Sequence, residues 1–107
     1  MKVKISKDFN RESKRLYKKY ASLAKEVLNL IHLLEKDPFQ GTPLGQNCYK
    51  IRLKIASKNT GKSGGGRVIT NIVIEKETLT LLSIYDKSEQ SDISDAEIIK
   101  RLKELSN

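Results

Sequence analysis

The hydrophobic positions change period several times along this chain. Val3 and Ile5 alternate with Lys2 and Lys4, which predicts a short edge strand over Lys2–Ser6. From Asp8 the period becomes helical. Phe9, Leu16 and Tyr20 recur on one face, while Arg11, Lys14, Arg15, Lys18 and Lys19 take the other positions. Ser22 is placed to cap a second helix whose apolar face is Leu23, Val27, Leu30, Ile31 and Leu34. Asp37-Pro38 ends it, because the residue before proline avoids the helical region. So short a separation predicts an antiparallel helical hairpin.

Phe39–Asn47, with Gly41, Pro43 and Gly45, reads as a loop. Within Cys48–Ser57, basic and apolar residues alternate from Tyr49 to Ile55, so a strand there turns Tyr49, Ile51, Leu53 and Ile55 into a core. Lys50, Arg52 and Lys54 form a row on its other face. Lys58–Gly66 is a polar, glycine-rich connection. Gly66–Glu75 is a β-branched strand, Lys76-Glu77 a tight turn and Thr78–Tyr85 a further strand. Short connections make these three strands an antiparallel meander. Ser94-Asp95-Ala96-Glu97 matches a capping box and opens a last helix with Ile98, Leu102 and Leu105 on one face. The order β-α-α-β-β-β-α, without repeat or linker, predicts one α+β domain over residues 1–107, with the helices on one face of the sheet.

Charge sharpens this outline. The formal net charge is +8 over 107 residues. Residues 1–74 hold 16 bases against 5 acids, a balance of +11, and residues 75–107 hold 5 bases against 8 acids, a balance of −3. Between Asp37 and Glu75 there is no acid at all, and Lys50, Arg52, Lys54, Lys58, Lys62 and Arg67 fall in that stretch. A row of cations on a rigid strand, with no neutralising carboxylate nearby in sequence, suits a polyanion such as nucleic acid. The alternation also occurs in any strand with one wet face, and a basic helix face such as that of Arg11–Lys19 is most often simply solvated. If the strands at Lys50 and Arg67 pair, Arg67 approaches Lys50 and Arg52 across the ladder, a repulsion that an anion would relieve.

The longest uncharged apolar-rich stretch, around Thr78–Tyr85, is too short to span a bilayer, and the start lacks a signal-peptide core. A lone cysteine, Cys48, forms no internal disulfide. Together these point to a cytoplasmic protein with no membrane partner. Gly61-Lys62-Ser63 is not a P-loop, since Ala56 stands where the motif needs glycine and no helix follows. Two readings of it stay open: a flexible hairpin loop, or a loop whose Lys62 and glycine amides approach a phosphate backbone. His32 has no second histidine and reads as structural, Cys48 reads as a buried thiol, and the scattered acids offer no metal site and no cofactor.

Three segments then carry a resemblance. Asn47-Cys48-Tyr49-Lys50-Ile51-Arg52-Leu53, Gly61-Lys62-Ser63-Gly64-Gly65-Gly66-Arg67-Val68-Ile69 and Leu82-Ser83-Ile84-Tyr85-Asp86-Lys87-Ser88-Glu89 resemble the RelE/HigB branch of the RelE/ParE toxin superfamily. The opening helical pair, through Leu34-Glu35-Lys36-Asp37-Pro38 and Gly41, is similar too. The resemblance implies a helical hairpin packed on a twisted antiparallel sheet. It also implies a toxin of a type II toxin–antitoxin pair that cuts mRNA on the ribosome without a metal. A protein antitoxin would neutralise it, and operator DNA would be bound only by the toxin–antitoxin complex. Lys50 and Arg52 match basic positions of the active strand, Arg67 the arginine of the next strand, and Lys87 another basic position. The family's C-terminal catalytic tyrosine has no match: Ile93 holds its place, and Tyr85 is the nearby substitute.

Metal-free cleavage by a 2′-hydroxyl needs a proton acceptor, a stabiliser of phosphoryl charge and a proton donor. On the sequence, Lys50 is the candidate acceptor, Arg52 and Arg67 hold the phosphate, and Lys87 or Tyr85 serves the leaving group. Lys54, Lys58, Lys62, Arg15 and Lys18 are candidate RNA contacts. Two alternatives accompany this reading: a ParE-like toxin that inhibits gyrase without catalysis, and a non-catalytic basic nucleic-acid-binding module.

Overall fold

The computed structural model describes residues 1–58 and 65–105. Strand β1 (Lys2–Ile5) leads into helices α1 (Lys7–Lys19) and α2 (Leu23–Lys36). Strands β2 (Thr42–Gly45), β3 (Cys48–Leu53), β4 (Gly66–Val73) and β5 (Thr78–Asp86) follow, and helix α3 (Asp95–Leu105) closes the chain. The sheet order is β1-β5-β4-β3-β2. Strands β2 to β5 pair antiparallel, and β1 joins the edge parallel to β5 after the helical crossover. The sheet is therefore mixed rather than wholly antiparallel.

Local chemistry explains most element ends. The Ser6 hydroxyl accepts the Phe9 amide at 3.1 Å and caps α1, with Asp8 in its first turn and Lys18 and Lys19 in its last. Ser22 does not cap α2 as expected. Its backbone is already helical, and its hydroxyl donates to Glu26 and accepts the Ser57 amide at 2.9 Å. Glu26 in turn accepts the Ala56 amide at 2.8 Å, so the start of α2 is tied to the chain leaving β3. That bend ends β3 at Leu53, four residues earlier than the alternation predicts.

The stretch expected to be a loop at Phe39–Asn47 contains β2. It pairs with β3 through Thr42↔Lys50, Pro43↔Tyr49 and Gly45↔Cys48. Pro43 is tolerated because β2 is an edge. Gln46 and Asn47 both lie in the left-handed region, at φ 56° and 58°, and close a two-residue hairpin. Gly41 is required where it stands: at φ +89°, a Cβ there would lie 2.2 Å from the Lys50 carbonyl oxygen. At the far end of β4 a short 3-10 turn, Ile74–Lys76, takes the last two residues expected in the strand, and Glu77 completes it at φ 49°.

The helices do not share one face. Phe9, Leu16, Leu23, Val27, Leu30 and Leu34 of the hairpin pack against Ile51, Val68, Ile72, Leu79, Leu81 and Ile84. On the other face, Ile98 of α3 joins Cys48, Ile69, Leu82, Tyr85 and Ile93. A bulge makes both faces of β5 apolar. Ile69 pairs with Ser83 and Thr70 with Leu81, so Leu82 is the extra residue and faces α3. Within α3, Leu105 is exposed and Arg101 is buried, so the stripe expected from Ile98, Leu102 and Leu105 is only partly used. Ser94 caps the helix by accepting the Glu97 amide at 3.1 Å. Glu97 directs its own carboxylate to Arg101 at 2.8 Å, so this capping box is not reciprocal.

Candidate functional site

Alternation along β3 places Lys50 and Arg52 on the face that carries α3. Arg52 stands directly opposite Arg67 on β4, and Arg67 directly opposite Tyr85 on β5. One row across three strands therefore reads Arg52, Arg67, Tyr85, with Lys50 a pleat away. Arg52 is exposed, Arg67 is 9% exposed and Tyr85 3%. The Arg67 guanidinium donates to the Gly66 carbonyl at 3.0 Å.

The segment leaving β5 folds back over this row, and it carries what the local sequence concealed. Asp92, 42 residues after Lys50, accepts from the Lys50 ammonium at 2.8 Å. The same oxygen, Oδ1, accepts from the Tyr85 hydroxyl at 3.2 Å and from the Ile93 amide at 2.9 Å. The cationic row is thus partly quenched by a distant carboxylate. Lys50 stands as the cation of an ion pair, and the acceptor role expected of it requires that pair to open. The hydrogen bond from Lys50, helped by the Ile93 amide, holds the Asp92 carboxyl below its ordinary range. Burial first, and the Asp92 charge second, push the Tyr85 phenol up to about 12, although Arg67 opposes them.

The other expected residues divide. Lys87 is exposed, and its ammonium donates to the Ser91 carbonyl at 2.9 Å, bracing the same segment. Lys54 is exposed just past β3. Lys58 points inward instead of toward a nucleic acid: its side chain is 9% exposed, and its ammonium lies 2.6 Å from Asp86. Asp86 is fully buried and also accepts from the Tyr20 hydroxyl and from Ser88. Burial would raise its pKa, but Lys58, Tyr20 and Ser88 together hold the carboxyl far below the usual range. Arg15 donates to Glu89 at 2.8 Å, while Lys18 is exposed on α1 and lines a shallow groove with Lys7, Arg11 and Lys14. Lys62 and its neighbours Gly61, Ser63 and Gly64 lie outside the described residues. His32 is exposed on α2. Cys48 is buried, and burial pushes its thiol up despite an opposing hydrogen bond from Asn71.

A second buried charge fixes α3. The Arg101 guanidinium donates to Glu12 of α1 at 2.9 and 3.0 Å and to the Leu82 carbonyl at 3.0 Å. Burial alone would lower the pKa of Arg101, but Glu12 and Glu97 hold it above its ordinary value. Among the described residues, no group of three or more histidine, cysteine or acidic side chains is placed to hold a metal ion. No described helix is long and apolar enough to cross a membrane.

The arrangement of helices and strands matches the fold of the RelE toxins. A doubly arginine-substituted variant of the E. coli toxin RelE in the free state superposes with a TM-score of 0.58 at 17% identity, over 84% of this chain and 86% of that one. The isolated E. coli RelE toxin superposes with a TM-score of 0.56 at 18% identity, over 94% of this chain and 97% of that one. No protein-family model matches the chain.

Proposed function

We propose that this chain is the toxin of a type II toxin–antitoxin pair and that it cuts mRNA on the ribosome without a metal or cofactor. The observation that carries this reading is the row Arg52, Arg67, Tyr85 with Lys50 beside it, on one face and at one end of the sheet. Arg52 and Arg67 stand opposite each other in the strand register, and the forked donors of guanidinium groups match phosphate oxygens. The likeness to E. coli toxins supports the same reading through the fold. Lys50, Arg52 and Arg67 hold the scissile phosphate. Tyr85 and Lys87 serve the leaving side. Exposed Lys54 and Lys18, with Arg15 and Lys62, guide the flanking RNA.

So few groups predict slow cutting of free RNA. A ribosome that presents the codon in a fixed pose supplies the orientation the site lacks. The site of action is then cytoplasmic. The partner is an acidic antitoxin, and operator DNA is bound by the pair rather than by the toxin alone. Inducing the chain in bacteria, with and without the product of the adjacent gene, tests this. Growth arrest relieved by the neighbour supports it, and unimpaired growth at full expression contradicts it.

A further inference from the structure

Almost every side chain on the cationic face is a donor. Arg52 and Arg67 offer only N–H groups. Tyr85, pushed up to about 12, keeps its proton at neutral pH. Lys50 is the ammonium partner of an ion pair. Yet attack by a 2′-hydroxyl requires something to take its proton. Asp92 is the acceptor within reach of these groups. Its Oδ1 receives three hydrogen bonds, from Lys50, Tyr85 and the Ile93 amide, which fix the carboxylate in place. Its Oδ2 receives none among the described residues, and the side chain is 58% exposed on the face where the phosphate would lie. Gln90 donates to the Asp92 carbonyl at 3.0 Å and steadies the backbone beneath it.

We propose that Asp92 is the catalytic proton acceptor, taking the 2′-hydroxyl proton on Oδ2. This rests on the ribonuclease reading above. The 2′ O–H bond breaks and its proton passes to Asp92. The freed oxygen pair forms the bond to phosphorus. The bond from phosphorus to the 5′ oxygen breaks, and that oxygen takes a proton from the Lys50 ammonium or the Tyr85 phenol. The products are a 2′,3′-cyclic phosphate and a 5′-hydroxyl, and water returns the proton from Asp92 to the donor. A carboxyl held below its usual range is a weak base. An arriving phosphodiester corrects this, because its negative charge competes for Lys50 and raises the proton affinity of Asp92. The groups that face Asp92 and set this titration are Lys50 from β3, Tyr85 from β5 and the Ile93 amide of its own segment, with Arg67 of β4 acting through Tyr85.

The test is single-turnover cleavage of mRNA on programmed ribosomes by the purified full chain and its D92N and D92A variants, with ribosome affinity measured in parallel. D92N should cut about 10²- to 10⁴-fold more slowly, the usual loss for a general base, with affinity equal or tighter. The wild-type rate should fall at acid pH, and D92N should lack that limb. Acetate or formate should restore part of the D92A rate, which a merely structural carboxylate would not allow. A folded D92N that cuts as fast as the wild type, or faster, overturns the assignment of Asp92 and leaves the ribonuclease reading intact. If D92N fails to fold, absence of acetate rescue in a folded D92A overturns it. A wild type that never cuts overturns the ribonuclease reading, and this assignment with it.

Discussion

Arg52 and Arg67 are cross-strand partners, directly opposite each other on β3 and β4. Like charges in that position destabilise a ladder unless something negative joins them. The nearby carboxylate, Asp92, is engaged with Lys50. Arg67→Ala and Lys50→Ala should each lower mRNA cleavage about 100-fold, the usual loss of one charge-stabilising contact, while leaving a folded protein. Lys14→Ala and Lys18→Ala on α1 should matter far less. Toxicity titrated in cells, with circular dichroism of each variant, measures both. Loss of toxicity on the helix alone would move the site.

Asp86 and Lys58 form a buried pair whose disruption should weaken the fold rather than the chemistry. Lys58→Ala leaves the Asp86 carboxylate buried without its ammonium and should cost about 3 kcal/mol or more in denaturant unfolding. Because the folded-state pKa of Asp86 is depressed, its stabilising effect is fully present above the unfolded value near 3.9. It is lost as pH falls below that value toward the folded one. The wild type should therefore lose stability in acid, and Lys58→Ala should lose less.

Much of the fold was legible because burial and period agree. The α1 and α2 faces, the alternation of β3 as far as Leu53 and the β-branched run of β4 as far as Val73 appear where the pattern puts them. β2 was hidden by Pro43 and its flanking glycines, which an edge strand accepts. Its hairpin turn uses Gln46-Asn47 rather than an Asn-Gly pair. The face bearing α3 was misread because Arg101 is a buried residue with a surface residue's identity, neutralised by Glu12, 89 positions away. In the candidate site, Lys50, Arg52 and Arg67 follow from alternation, but Asp92 does not. No local spacing announces a contact across 42 residues. Lys58 looked like an RNA contact because its partner, Asp86, lies 28 positions away in sequence.

Arg101 should also govern how firmly α3 is held. Arg101→Ala leaves Glu12 without its cation, with only the Ser83 hydroxyl and Ile84 amide still donating to it, and frees the Leu82 carbonyl, and should cost about 3 kcal/mol. Hydrogen exchange should show α3 amides losing protection before those of β4 and β5.

An antitoxin must quench a +8 surface and also find an apolar anchor. An acidic segment that folds on binding meets both needs. Its affinity should fall as salt rises and then level off where only apolar contact remains. Titration of the adjacent gene product from low to high salt measures this, and a salt-independent affinity would remove the charge-quenching part.

The most direct test of the central claim is a map of mRNA 5′ ends shortly after induction of the wild-type chain and of Arg67→Ala in bacteria. The account predicts new ends inside translated frames, bearing 5′-hydroxyls, for the wild type and about 100-fold fewer for the variant. Growth arrest with intact mRNA and gyrase-linked DNA breaks, or the same ends in equal number from both proteins, would contradict it.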